Sequence, residues 1–262
     1  KQYSNLISML EEFDKLEIIF YDKYRVRMNS KSFNLCNFTY FNLISEIKDL
    51  FNFKCNNIIK NTNYQSFVEA KDSESLKKFH YINLNSYLHR DNKLLDIGCN
   101  LGYFCFKAAE ISSNLIFGID FNQKSIIQAK YLRDYYFKKF NCKFFDIDFF
   151  DINIFAEYEK YNVIVCLSTF HYFGNRYESF FSTCHTLLLQ NGILVLEVEL
   201  CDSDDNVTLE VTRKMDFYPC IFPSLSRIHS LFSKYFTVLS FKKSVFQKGS
   251  LNDRYVIHLS KI

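Results

Sequence analysis

The hydrophobic pattern changes rhythm once along the chain. Apolar side chains stand at Leu6, Leu10, Phe13 and Leu16 over residues 4–20, and at Phe41, Ile44, Ile47, Leu50 and Phe51 over residues 40–53. Both sets keep the spacing of an amphipathic helix. An N-terminal helical cap is therefore expected over residues 1–63, ahead of a core domain over 64–262. From Lys93 onward, short apolar runs alternate with helical patterns. Strands are predicted at 93–97, 115–119, 142–147, 162–167 and 193–198, with helices at 103–111, 125–140 and 177–189, the last closed by Gly192. Nearly continuous apolar strands separated by helices belong to a parallel sheet covered on both faces, a doubly wound α/β fold. The C-terminal part departs from that rhythm. Ser224 is placed to cap a helix running to Tyr235, with Leu225, Ile228, Leu231 and Phe232 inward. Two β-rich runs, 236–246 and 255–260, are joined through Gly249 and Asn252-Asp253 as in a hairpin.

Composition narrows the class. Of 262 residues 48% are apolar and 23% charged, enough for a core that needs neither metal nor disulfide. The nine cysteines are odd in number and include no C-x-x-C pair, so neither a zinc site nor a disulfide framework is expected. Free buried thiols in a reducing cytosol are the expectation, and with them a cytoplasmic location. No apolar run reaches the ~18 residues of a membrane span, and residues 1–14 lack the apolar stretch of a signal peptide. A net charge of +3 is too small to single out nucleic acid as partner. The 30 Phe and 18 Tyr accompany abundant Asn, Lys and Ile, as an AT-rich coding bias produces, so aromatic clusters are not read as base-stacking surfaces.

The candidate chemistry sits at strand ends. The stretch Leu94-Leu95-Asp96-Ile97-Gly98-Cys99-Asn100-Leu101-Gly102-Tyr103 leads a strand through a tight turn into a helix. Gly98 and Gly102 are expected to let a ligand approach the backbone. Asn100, where a second glycine is common, tolerates positive φ. Asp96 is placed to support the turn or meet a cationic ligand group. Asp120, ending the next strand, can accept from both hydroxyls of a ribose. Asp148, after the third strand, can accept from an adenine amino group, with Phe149 against the ring. Tyr103 stands where G-x-G-x-x-G requires its third glycine, which argues against a dehydrogenase.

These residues resemble the class I S-adenosylmethionine-dependent methyltransferases, with Asp-x-Gly-x-x-x-Gly, an acid at the second strand end and an acid after the third. The resemblance runs from about Leu94 to Ile262. It implies a seven-stranded, mostly parallel sheet whose last strand is reversed, and S-adenosylmethionine as cofactor with S-adenosylhomocysteine as product. It also implies that Gly98, Cys99 and Gly102 border the methionine part, with Asn100 in the same turn, and that Asp120, Phe121, Asp148 and Phe149 hold ribose and adenine. Cys166 and Leu167, ending the fourth strand, join the cofactor set.

The acceptor side is read from the residues just beyond the fourth strand. His171 is the candidate base for a hydroxyl acceptor, Tyr172 a residue to hold it, and Glu197, with Glu199, a carboxylate to orient either. In the long segment 201–223, Arg213, Lys214 and Tyr218 are placed to form a lid, and Tyr64-Gln65-Ser66 to close over the cofactor. Arg176, Arg213, Arg227 and Arg254 are candidate anion contacts. The absence of an Asn/Asp-Pro-Pro-Tyr motif argues against adenine amino-methylation. The segment 192–197 with the fourth strand end is similar to RNA methylphosphate-capping enzymes, and 217–225 to tRNA wobble-uridine carboxymethyltransferases. The reading favoured is O-methylation of a small anionic acceptor, such as a phosphorylated metabolite or capsule-polysaccharide precursor. An RNA methyltransferase and a cofactor-binding pseudoenzyme that serves a partner are the alternatives.

Overall fold

A computed structural model of the chain describes residues 19–22, 25–28, 31–34, 74–135, 137–152, 160–201, 207–209, 220–246 and 252–262. The chain divides into two compact units, Lys1–Ser73 and Glu74–Ile262. In the first, strands β1 (Ile19–Asp22), β2 (Arg25–Met28) and β3 (Lys31–Asn34) form an antiparallel meander. The helix expected over 4–20 thus gives way to strand at Ile19 and Phe20. Its remainder and the helix expected over 40–53 lie outside the described residues. The meander leaves no mark in the sequence pattern, because four-residue strands carry too little period to stand out.

The second unit begins with α1 (Glu74–Tyr81) and continues as β4 (Leu94–Ile97), α2 (Tyr103–Ala109), β5 (Ile116–Asp120), α3 (Gln123–Tyr135), β6 (Cys142–Asp146) and β7 (Tyr161–Leu167). Next come α4 (Tyr177–Leu187), β8 (Leu188–Leu200), the short antiparallel pair β9 (Val207–Leu209) and β10 (Cys220–Phe222), α5 (Leu225–Phe232), β11 (Phe236–Lys243) and β12 (Asp253–Lys261). Seven strands form one sheet in the order β11-β12-β8-β7-β4-β5-β6. The pairs β6–β5, β5–β4, β4–β7 and β7–β8 are parallel, and β12 runs antiparallel to both β8 and β11. The sheet therefore has the expected reversed last strand, inserted between its two neighbours. Ser224 caps α5 as expected, its hydroxyl accepting from Arg227 N at 3.3 Å.

Alternation along the strands divides the core into two layers. One face carries Leu95, Ile97, Phe117, Ile119, Ile164, Leu194 and Leu196 against Phe180 and Phe181 of α4 and Ile228 and Phe232 of α5. Much of the phenylalanine excess is spent here: Phe149, Phe170, Phe173, Phe180 and Phe181 form a run of ring contacts with centroids 5.1–5.7 Å apart. All seven described cysteines are free and buried. Among the described residues no helix is long and apolar enough to cross a membrane, and no His/Cys/Asp/Glu group could hold a metal ion.

On the opposite face Gly118 lies where Phe144 of β6 and Cys99 meet; a Cβ there would stand 2.7 Å from the Phe144 ring and 2.8 Å from Cys99 Sγ. Gly118→Ala is expected to lower stability by about 1–3 kcal/mol through overpacking, read as a lower denaturant midpoint at unchanged slope.

Candidate functional site

Leaving a buried strand, the turn after β4 must find partners for its own amides. It finds them on β5: Gly98 N and Cys99 N both donate to Ile119 O, at 2.8 and 3.0 Å, and Asn100 N donates to Asp120 Oδ2 at 2.9 Å. Three residues adopt left-handed backbone, Gly98 at φ 74°, Asn100 at 51° and Gly102 at 81°. Asn100 steadies its own conformation, its Oδ1 accepting from Leu101 N at 2.8 Å. The expected tolerance of Asn at this position is what the backbone uses.

The two glycines serve packing as well as conformation. A Cβ on Gly98 would fall 2.1 Å from Thr169 Oγ1, and one on Gly102 2.6 Å from the Phe144 ring. The room expected for a ligand is at both places taken by protein side chains. Gly98 still borders a cleft at the carboxyl edge of the sheet, and Gly102 does not.

That cleft encloses about 190 Å³. Its floor is Ile97, Ile119 and Ile147, its mouth carries Asp120, Phe121 and Asp148, and its far wall is Thr169, Tyr172, Phe173 and Arg176. Asp120 Oδ1 accepts from Asn122 N at 2.8 Å, so each carboxylate oxygen holds one backbone amide. A carboxylate offers about four lone-pair sites, which leaves one on each oxygen. Burial pushes the Asp120 pKa up, and the amides of Asn122 and Asn100 pull it back. Phe121 beside it is 51% exposed. Asp148 caps a short 3₁₀ turn, accepting from Phe150 N at 2.9 Å. Phe149 lines the cleft and belongs to the aromatic core.

Several expected site residues stand elsewhere. Asp96 points to the helix face opposite the aromatic core, where Cys105 Sγ donates to its Oδ2 at 3.5 Å; at 2% exposure it is not part of the cleft lining. Cys99, Cys166 and Leu167 are buried in the core. Burial pushes the Cys99 thiol up to about 11 and Cys166 well above its ordinary value, so both stay protonated at neutral pH. Arg176, read as an acceptor contact, lines the cleft beside Asp148: its Nη2 is 3.8 Å from Asp148 Oδ2 and its guanidinium stacks 3.8 Å over the Phe150 ring. Arg254 pairs with Glu199 at 3.6 Å, and Arg227 is exposed on α5. Glu197 is fully buried and off the cleft wall, paired with Lys78 Nζ at 2.6 Å. His171 is 9% exposed, its ring 4.3 Å from that of Tyr172 and 5.6 Å from that of Phe222. Arg213, Lys214, Tyr218 and Tyr64-Gln65-Ser66 lie outside the described residues. Sequence reasoning misses Thr169 and Lys78; nothing local to either residue marks it.

A parallel sheet with one reversed strand, a glycine turn after its central strand, and acids at the next two strand ends define the class I S-adenosylmethionine-dependent methyltransferase fold. The chain belongs to the methyltransferase domain family, whose profile matches residues 88–242, more than half of its length. Solved structures agree in fold. An S-adenosylmethionine-dependent methyltransferase from Methanosarcina mazei superposes at TM-score 0.56, 13% identity, over 69% of this chain and 97% of that one. The cyclopropane synthase MmaA2 of Mycobacterium tuberculosis gives 0.58 and 17%, over 71% and 84%. The N-methyltransferase NodS of Bradyrhizobium japonicum, solved with S-adenosylhomocysteine, gives 0.55 and 14%, over 80% and 97%. Among curated protein sequences none matches this chain significantly.

Burial raises the Asp96 pKa from 3.8 to about 7, the Cys105 contact and the Lys78 charge opposing it. A raised carboxyl favours the folded state while protonated. Its contribution is complete below pH 3.8 and is lost as pH rises towards 7, at up to about 1.4 kcal/mol per pH unit. Asp96→Asn is expected to remove this decline, so that urea unfolding of the variant changes less between pH 4 and 7 than that of the parent protein.

Proposed function

We propose that this methyltransferase binds S-adenosylmethionine in the cleft between Asp120 and Asp148 and methylates an oxygen of a small acceptor. The observation that carries the cofactor assignment is Asp120. Its carboxylate is held by two backbone amides of its own fold, yet keeps one lone-pair site on each oxygen at the cleft mouth. That geometry suits the two hydroxyls of a ribose. The aliphatic floor, exposed Phe121 and Asp148 suit a flat base with an amino edge. Ribose at β5 and adenine beyond β6 leave the amino-acid half to run towards Gly98 and Thr169, between β4 and β7.

When bound, the cofactor supplies an electrophilic methyl group on a cationic sulfonium. The residues of the chain have three tasks. Asp120 and Asp148 orient the adenosine. The aliphatic floor excludes water. Tyr172, on the cleft wall, holds the acceptor, and His171, packed on its ring, takes the proton that a hydroxyl must lose. His171 is 9% exposed and packs beside Tyr172 rather than on the cleft lining itself. Of the arginines read as anion contacts, Arg176 and Arg254 are paired with carboxylates, Arg227 is exposed on α5, and Arg213 lies outside the described residues.

Titration calorimetry of the purified protein with S-adenosylmethionine and S-adenosylhomocysteine, with NAD as control, tests the cofactor site. Micromolar binding of the first two is expected; binding of neither overturns the assignment. Asp120→Ala is expected to weaken both by about tenfold or more while circular dichroism still reports a folded protein, and unchanged affinity refutes the ribose contact. His171→Ala is expected to leave cofactor affinity intact and to reduce turnover on a hydroxyl acceptor by roughly 10²-fold or more. Full turnover in that variant returns His171 to a packing role.

A further inference from the structure

At the carboxyl end of β7 and β8, on the face opposite the aromatic core, three charged side chains meet around one hydroxyl and a fourth backs them. Ser168 adopts φ 55°, a left-handed backbone that a serine takes only at a cost. Its Oγ donates to Glu197 Oε2 and accepts from Lys78 Nζ at 3.1 Å and Arg254 Nη1 at 3.3 Å. Lys78 also pairs with Glu197 Oε2 at 2.6 Å, and Ser244 Oγ donates to Glu197 Oε1 at 3.4 Å. Arg254 Nη2 stands 3.6 Å from Glu199, which accepts from Asn252 N at 2.8 Å. Two cations and two carboxylates balance, so the group does not call for an anion from solution. Its side chains are 0–14% exposed, and in such surroundings charge-assisted hydrogen bonds are strong.

What the cluster grips is the residue before Thr169. Thr169 fills the space that a Cβ on Gly98 would need, and it lines the cleft. We propose that Lys78, Glu197 and Arg254 are positioning residues that act through Ser168, holding Thr169 against Gly98 and so shaping the end of the cleft that receives the amino-acid half of the cofactor. This rests on the cofactor reading above. It gives Glu197 a role at a distance from the reacting atoms. It also gives α1, ahead of the glycine turn in sequence, a part in the site through Lys78.

The test compares two ligands that differ only at that end. S-adenosylhomocysteine carries the amino-acid half, and 5′-deoxy-5′-methylthioadenosine keeps the adenosine without it. Ser168→Ala retains the Cβ and loses the tether. It is expected to weaken S-adenosylhomocysteine roughly tenfold, the worth of one charge-assisted hydrogen bond, and methylthioadenosine less than about twofold, against the same pair measured on the parent protein. Ser168→Gly, which accepts the left-handed backbone without strain, is expected to lose less than Ser168→Ala. Lys78→Met is expected to reproduce the selective loss, and Lys78→Arg to restore affinity. Equal losses for both ligands, or none for S-adenosylhomocysteine, refute the positioning role, because a merely structural cluster does not distinguish the two ends. If the parent protein binds neither ligand, the cofactor reading fails and takes this inference with it.

Discussion

A buried parallel strand that ends in a reversal leaves amides with no strand beyond them, and in a dry interior each must be satisfied. In this chain the turn after β4 solves the problem on β5: the Ile119 carbonyl takes two of its amides and the Asp120 carboxylate a third. The rest of the site depends on that tie. It aligns the ends of β4 and β5, brings an acid to the mouth of the cleft with lone pairs to spare, and fixes the left-handed run from which α2 departs. The same carboxylate therefore completes the fold and lines the cleft.

Packing decides what the glycines are for. Thr169 and Phe144 occupy the space a Cβ would take at Gly98 and Gly102, so the turn is pressed between a neighbouring strand end and an aromatic side chain. The phenylalanines have a similarly plain role: Phe149, Phe170, Phe173, Phe180 and Phe181 fill the layer under α4 with interlocked rings. Among the described phenylalanines that line the cleft, only Phe121 stands largely exposed, beside Asp120.

The charges divide in the same way. Asp96 lies under α2 with a thiol as its hydrogen-bond donor, whereas Glu197 and Glu199, on the same face of the sheet, sit among Lys78 and Arg254. A buried carboxylate paired with cations is costly to assemble and unforgiving when one partner is removed. Placed at the carboxyl edge of the sheet, such a cluster can hold a strained residue where a loop meets the cleft.

Much of this architecture is legible along the chain. Apolar runs of four to seven residues between helical patterns identify the parallel strands, Ser224 announces its helix, and the acids Asp120 and Asp148 can be located because strand ends are visible as breaks in the pattern. Asn100 marks its own left-handed turn by its chemistry. These are local properties, set by the period of side chains and the backbone each residue tolerates. Three things depended on the tertiary structure. The β1–β3 meander is built of strands too short to show a period. The inward fate of Asp96 and the pairing of Arg176 with Asp148 are set by which elements cover them. The meeting of Lys78, Ser168, Glu197 and Arg254 joins residues as much as 176 positions apart in sequence. Side-chain period tells on which face of a strand a residue lies, but the register β12 takes on β8 and the packing of α1 determine which charges that face finds.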